Sequence, residues 1–322
     1  MRIVVALGGN ALLERGERPD ASTQVARARE AVRCLAPLAE EHELVITHGN
    51  GPQVGLLAQE SSADPTLSAP YGFDTLGAAT QGMIGYWLVQ ALQNELPGRQ
   101  VLGLLNQTLV LAHDPAFENP TKYVGPVYTK EEAEAVAADK GWTMRQDGNH
   151  WRRVVGSPKP QRVVETRIIR RLLSDGVIVV CAGGGGVPVI RDSRGKLTGV
   201  EAVLDKDRTA ARLAIELDAD ALLVLTDVPA IMADYGTDHA RAINRATPDD
   251  LWRMDFPDGS MGPKVEACCT FVELTGDMAA IGRLQDAPAL LQGTTGTIIT
   301  PGGDYGGPED LTPRHFLRTR AF

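Results

Sequence analysis

Paired cysteines, zinc-spaced histidines and long apolar runs are all missing from this sequence. Its 322 residues hold four cysteines, Cys34, Cys181, Cys268 and Cys269, in no C-x-x-C spacing, and six scattered histidines. A disulfide framework or structural zinc site is therefore not expected, and a reducing cytoplasm suits the chain. No run approaches the roughly 18 apolar residues of a membrane span, because RIVVALGGNALL breaks at Gly8 and Gly9. No basic leader with an apolar core opens the chain either, so the expectation is a soluble intracellular protein with no membrane partner. Positive charge is also in deficit, with 32 Lys and Arg against 41 Asp and Glu, a formal net charge of -9. That argues against broad contact with nucleic acid or an anionic membrane, but not against a small anion, which needs only a local cluster of donors.

The familiar catalytic and nucleotide signatures are absent too. GNGPQVG misses the G-x-G-x-x-G register because Val54 takes the last glycine's place, and no G-x-x-x-x-G-K-[ST] occurs. Gly-x-Ser-x-Gly is missing, and Ser260 in GSMG has no identifiable base partner. Aromatics are only 5% of the chain, while apolar residues reach 43% and glycine 34 positions. This is a globular composition built on Ala, Val, Leu and Gly, large enough for a full core.

What is present is a rhythm. The strand-like run RIVVAL stops at a glycine turn, a helical face follows from about 23 to 42, and ELVIT then runs into HGNGPQVG. Further helix patterns fall at 76–95, DRTAARLAIELDA and GPKVEACCTFVEL, with strands at 100–105, VIVVCAGGGG, ALLVLTDV, QDAPAL and TGTIITP. Strands alternating with helices predict an α/β fold with a mainly parallel sheet covered on both faces and ligand loops along one strand edge. Residues 114–160 break the rhythm; their prolines, charges and apolar residues such as Tyr123, Trp142 and Trp151 suggest a small subdomain or lid within a single 1–322 domain.

Three glycine turns follow apolar strands: Gly8-Gly9-Asn10, Gly49-Asn50-Gly51, and the run Gly183-Gly184 onward. Each could be an ordinary strand-to-helix bend, yet three together predict backbone N–H groups cradling phosphate or carboxylate oxygens. Lys206 and Asp207 open one small-residue helix and Lys264 opens another. Paired, the two lysines could counter charge on a nucleotide and on a transferred group, with Asp207 orienting both. Asp205 or Asp207 could also cap the helix, and Asp227 could cap a turn or reach nucleotide or metal through water. Phosphoryl transfer needs alignment and charge compensation rather than a triad, so it is the chemistry these residues favour.

The blocks VVALGGNALL, ITHGNGPQVG, TQGMIGYWL, NPTKYVGP, VVGSPKP, GVEAVLDKD, LVLTDV and GSMGPKVEA, spread over nearly the whole chain, resemble the carbamate kinases of the amino acid kinase superfamily. The resemblance implies a three-layer αβα sandwich around a sheet of about eight strands, a projecting subdomain over the cleft and a homodimer. It also implies transfer of a phosphoryl group between ATP and carbamate, giving ADP and carbamoyl phosphate, with Mg2+ carried mainly by the nucleotide. In such a family the reaction often makes ATP during breakdown of arginine or other amidino compounds.

By the same resemblance Lys206 lies beside the transferred phosphoryl group and Lys264 on the nucleotide phosphates, with Asp207 organising both. Gly8, Gly9, Asn10, Gly49, Asn50 and Gly51 would form the substrate and phosphate cradle, to which the glycine-turn pattern adds Gly183 and Gly184. Gripping of the carbamoyl anion would rest mainly on Lys122, since Asn119 stands where some members have a second lysine. Thr226, Asp227, Val228 and Met261 would border the nucleotide. The open alternatives are a sister phosphotransferase with another acceptor, or a silent sensor of nucleotide or carbamoyl phosphate.

Overall fold

The computed structural model describes residues 1–14, 17–256 and 261–302, with Asn10 described by its backbone alone. Ser260 therefore lies outside the described residues, as does the end of the 232–258 segment.

Eight strands make the main sheet: β1 (Arg2–Leu7), β2 (Glu43–His48), β3 (Val101–Gly103), β4 (Ile178–Val180), β5 (Ala221–Thr226), β6 (Arg245–Ala246), β7 (Met278–Arg283) and β8 (Thr297–Ile299). Their order is β6-β8-β7-β5-β1-β2-β4-β3. The six strands from β7 to β3 run parallel, and the β7–β8 pairing is antiparallel. β1 sits in the middle, paired along its length with β5 and β2. A central parallel strand is covered on both faces, which is why RIVVAL reads as a continuous apolar run and not as an alternation.

The nine helices among the described residues are α1 (Ala21–Glu41), α2 (Gly51–Ala63), α3 (Phe73–Glu95), α4 (Lys130–Lys140), α5 (Thr166–Ser174), α6 (Lys206–Leu217), α7 (Pro248–Trp252), α8 (Met261–Thr275) and α9 (Ala287–Leu291). Side chains alternate across a strand, so Ile3, Val5 and Leu7 face one way and Val4 and Ala6 the other. The first set packs with α1, α3 and α9 through Leu35, Leu88 and Leu290. The second packs with α5, α6, α7 and α8 through Ile169, Leu213, Leu251 and Phe271. This is the expected sandwich of helix, sheet and helix.

QDAPAL is not a strand. The last long strand is β7, and Leu284–Asp286 then form a 3-10 turn that leads into α9. Pro288 sits in the first turn of α9, where its missing N–H costs nothing and its fixed φ favours the helix.

A second body stands beside the sheet. The antiparallel segments Lys122–Tyr128, Met144–Asp147 and His150–Val155 form a three-stranded sheet, with α4 between the first two. Thr129 and Glu132 close a capping box at the start of α4. Val124 and Val155 from this body share an apolar cluster with Val54, Phe73 and Leu76 of α2 and α3.

Candidate active site

Because β5, β1, β2 and β4 are parallel neighbours, the turns after them share one edge. Gly8 N donates to Leu225 O at 2.9 Å and Gly49 N to Leu7 O at 3.0 Å, so the ladder continues straight into the first two glycine turns. These turns touch: a Cβ on Gly49 would lie 3.1 Å from Gly9 N and 3.5 Å from Lys206 Cδ. Glycine at 49 thus lets two backbone turns and a lysine stem meet in one place. Gly9 and Gly51 have open space where a Cβ would stand, and Gly51 is the first residue of α2.

The third turn is built differently. Gly183 and Gly184 are buried, and a Cβ on either would overlap the His48 ring or the Asn50 amide. Gly184 also has φ +62°, in the left-handed region. Asn50 is buried and donates from Nδ2 to Thr80 Oγ1 at 2.9 Å. In this structure the side chain of Asn50 therefore props the second turn from beneath, and the third turn packs on it. His48 Nδ1 donates to Gly49 O at 2.9 Å. Burial, with a small contribution from Lys206, holds the imidazole down at about 4, so it is neutral at physiological pH.

The lysines converge as the sequence expectation required. Asp207, only 3% exposed in its side chain, takes Lys206 Nζ on Oδ1 at 2.5 Å and Lys264 Nζ on Oδ2 at 2.9 Å. Lys264 thus joins Lys206 on a carboxylate 57 positions earlier in the chain. α6 presents Lys206 and Asp207 in its first turn because Asp205 caps the helix, accepting from Asp207 N at 3.0 Å and Arg208 N at 3.2 Å.

Burial opposes ionisation of Asp207, yet the two ammonium groups outweigh it and hold its carboxyl below the usual range. The lysines shift in opposite senses although they share one partner. Burial dominates at Lys206, and with Lys264 nearby its ammonium is pulled down. At Lys264 burial is offset by Asp207 and Asp205, and the net shift is up. Asp207 is the group whose direction both contacts support: it is ionised, and each lysine is charged through it.

Lys122, at the start of the projecting sheet, donates from Nζ to the second oxygen of Asp205 at 2.8 Å. Asp205 is held far below the ordinary carboxylate range: burial raises it, but Lys122 and Lys206 together lower it more. The sequence marks Asp205 as a cap but not this partner, because no local pattern points to a residue 83 positions away. Three ammonium groups and two carboxylates leave the cluster with one net positive charge in a chain that is negative overall, suited to a dianionic phosphoryl group.

The body built on the three-stranded sheet is fastened next to the cluster. Arg153 lies 4.1 Å from the Trp142 ring centroid on its own body and 4.8 Å from that of Phe73 in α3. It also reaches Glu201, whose other oxygen accepts from Phe73 N at 2.8 Å. Asn119 accepts from Arg145 at 2.5 Å, so a positive group does stand beside the position that lacks a second lysine.

Thr226 ends β5 beside Gly8, half-buried, and donates to Asp227 Oδ1 at 3.1 Å. Asp227 is exposed, and Val228 and Met261 are half-buried. No group of three His, Cys, Asp or Glu side chains among the described residues is placed to hold a metal ion. The cluster's own buried carboxylates, Asp205 and Asp207, are both engaged by lysines. A metal held by the protein alone does not fit this cluster.

Comparison with known proteins agrees with this geometry. Residues 1–281 match the amino acid kinase family. The chain is 52% identical to a carbamate kinase of Rhizobium meliloti, over 93% of both chains. It is 50% identical to one of Haemophilus influenzae, over 93% of this chain and 97% of that one. A carbamate kinase of Giardia lamblia solved with AMP-PNP superposes with a TM-score of 0.83 at 37% identity, covering 93% of this chain and 98% of that one. No helix of the described residues is long and apolar enough to cross a membrane. With a parallel sheet, a glycine-lined edge and two lysines joined by one aspartate, the chain belongs to the carbamate kinases of the amino acid kinase family.

Proposed function

We infer that the protein is a carbamate kinase, moving a phosphoryl group reversibly between ATP and carbamate. The observation that carries the reading is the shared carboxylate of Asp207, which brings Lys206 and Lys264 to the edge where Gly9 and Gly49 touch. In the forward direction a carbamate oxygen attacks the γ-phosphorus in line; the new O–P bond forms as the P–O bond to the β-phosphate breaks, and ADP leaves with that electron pair. Carbamate is already an anion, so no general base is needed. In this reading Lys206 follows charge on the moving group and Lys264 holds the nucleotide phosphates. Asp207 fixes the spacing of the two ammonium groups.

Backbone N–H groups of the Gly8-Gly9-Asn10 and Gly49-Asn50-Gly51 turns take the oxygens that the lysines leave, while Gly183 and Gly184 act by packing beneath them. Lys122 exchanges Asp205 for the carbamoyl anion as the body spanning 114–160 closes. Thr226, Asp227, Val228 and Met261 line the nucleotide side. Asp205 and Asp207 are held by lysines, so Mg2+ would be carried by the nucleotide and would supply further positive charge to the phosphates.

Two broader features go with this reading. Four unpaired thiols suit a cytoplasmic protein. Leu102 and Leu105, at the edge strand β3, and Tyr86 on the helix beside it, are 40%, 55% and 59% exposed, an apolar margin suited to a homodimer contact.

The test is ATP formation from ADP and carbamoyl phosphate in a coupled assay, run beside acetylglutamate, aspartate and UMP as phosphoryl acceptors from ATP. Carbamoyl phosphate should be the substrate used, and Lys206→Ala should lower kcat by about 100-fold or more with little loss of ADP affinity. A folded protein that binds nucleotide but makes no ATP, or that prefers another acceptor, would overturn the assignment.

A further inference from the structure

A second ion pair runs beside the catalytic one, between the same two helices. Arg208, the residue after Asp207, donates from Nε at 3.0 Å and from Nη2 at 2.6 Å to Oε2 of Glu266, which lies two residues after Lys264. The two side chains are 28% and 29% exposed, so they are partly shielded from solvent. The other oxygen of Glu266 is 3.7 Å from Lys159, but that lysine is 69% exposed and adds little.

Under the two pairs the helices share a buried layer of mixed side-chain size, in which Leu213 and Phe271 stand beside smaller residues. Ala210, Ala211 and Ala214 of α6 lie in the same buried layer as Val265, Cys268 and Cys269 of α8. Short side chains make shallow ridges, which set how close two helices come but resist axial sliding poorly. Sliding α8 by one residue's rise, about 1.5 Å, lengthens the 2.9 Å Lys264–Asp207 contact, and breaks it where the shift runs along the contact. A charge-assisted pair at the same end of both helices adds a directional hold on the register to that packing.

We propose that Glu266, gripped by Arg208, is a positioning residue that fixes the register of α8 on α6 and thereby seats Lys264 on Asp207. It acts through Lys264 and contacts no substrate, so the inference rests on the role given to Lys264 above. Losing the pair lets α8 occupy shifted registers, and misplacement on this scale is costly for phosphate binding and transfer.

The experiment is a cycle of Glu266→Gln, Lys264→Met and the double variant, with ADP affinity read by calorimetry and kcat by ATP formation. Glu266→Gln keeps the shape of the side chain; it should weaken ADP binding and lower kcat by about five- to tenfold each, with little change in melting temperature. In the Lys264→Met background it should change ADP affinity no further, the mark of an effect carried by Lys264. The reversed pair R208E/E266R should recover most of the loss. Wild-type behaviour of Glu266→Gln, or its full effect added on top of Lys264→Met, overturns the proposal. If Lys264→Met alone binds ADP and turns over normally, the reading of Lys264 fails first, visibly in that single variant, and the positioning role falls with it.

Discussion

Asp207→Asn probes the charge balance of the site with almost no change in shape. It removes the one negative charge between Lys206 and Lys264, whose side chains are only 11% and 16% exposed. Removing one partner of a buried ion pair costs about 3–5 kcal/mol, because the remaining charge is stranded. Two charges are stranded here, but either lysine can shed its proton, which keeps the total near the same range. A domain of this size has only about 5–15 kcal/mol to lose, so the variant should fold with a clearly lowered urea midpoint.

The pH dependence carries the sharper signal. In the wild type Asp207 is lowered, so its stabilising share is complete above the unfolded value of about 3.9 and is lost as pH falls through the folded value. Lys264 is raised, so its share is present below the unfolded value of about 10.4 and is lost as pH rises through the folded one. In the Asn variant both lysines lose their hydrogen-bonded counter-charge, Asp205 alone is left to oppose burial, and both should be lowered relative to the wild type. Its stability should then rise with pH in the alkaline range more steeply than that of the wild type, where the lowered Lys206 and the raised Lys264 act in opposite senses, and the gap should narrow toward about pH 10. Sulfate should narrow it too, by supplying the missing negative charge. Urea unfolding from about pH 7 upward, with and without sulfate, measures both effects; a loss under about 1 kcal/mol with an unaltered pH profile would mean that the carboxylate does not hold the two lysines together.

His48 should stay neutral well below pH 6: its folded value of about 4 lies under the unfolded 6.5, so about 3 kcal/mol of stability is lost as pH falls from 7 to 4. An NMR titration showing its ring protonating near 6.5 would contradict the burial. Gly55→Ala would put a Cβ 2.7 Å from Gly125 Cα, forcing the projecting body off α2. The expected result is about 1–3 kcal/mol of destabilisation and a raised KM for carbamoyl phosphate with ADP affinity kept, read by unfolding and steady-state kinetics. A native thiol titration should label no more than Cys34, and slowly. Cys181 and Cys269 are pushed up to about 12 by burial and Cys268 is raised well above its ordinary value, so three thiols should react only in denaturant.

Much of the fold was legible because its signals are local. RIVVAL and ELVITH announce buried parallel strands through unbroken apolar character, and the glycines after them announce turns through the backbone geometry they permit. QDAPAL misled because a short apolar run with one proline fits a strand edge as well as a helix start; what decides is the position of Pro288 in the first turn of α9, with β7 already complete.

The candidate site divides along the same line. Residue types and their order determine that Lys206 and Asp207 open a helix, that Lys264 opens another, and that glycine turns end the neighbouring strands, since each depends on a few adjacent residues. Only the tertiary structure decides that Lys122 pairs with Asp205, that Asn50 turns inward to Thr80, that Arg153 bridges Trp142 and Phe73, and that Arg208 grips Glu266. Those partners lie tens of residues apart, and their meeting is set by how the helices pack on a shared sheet, a many-body outcome that no short window of sequence contains.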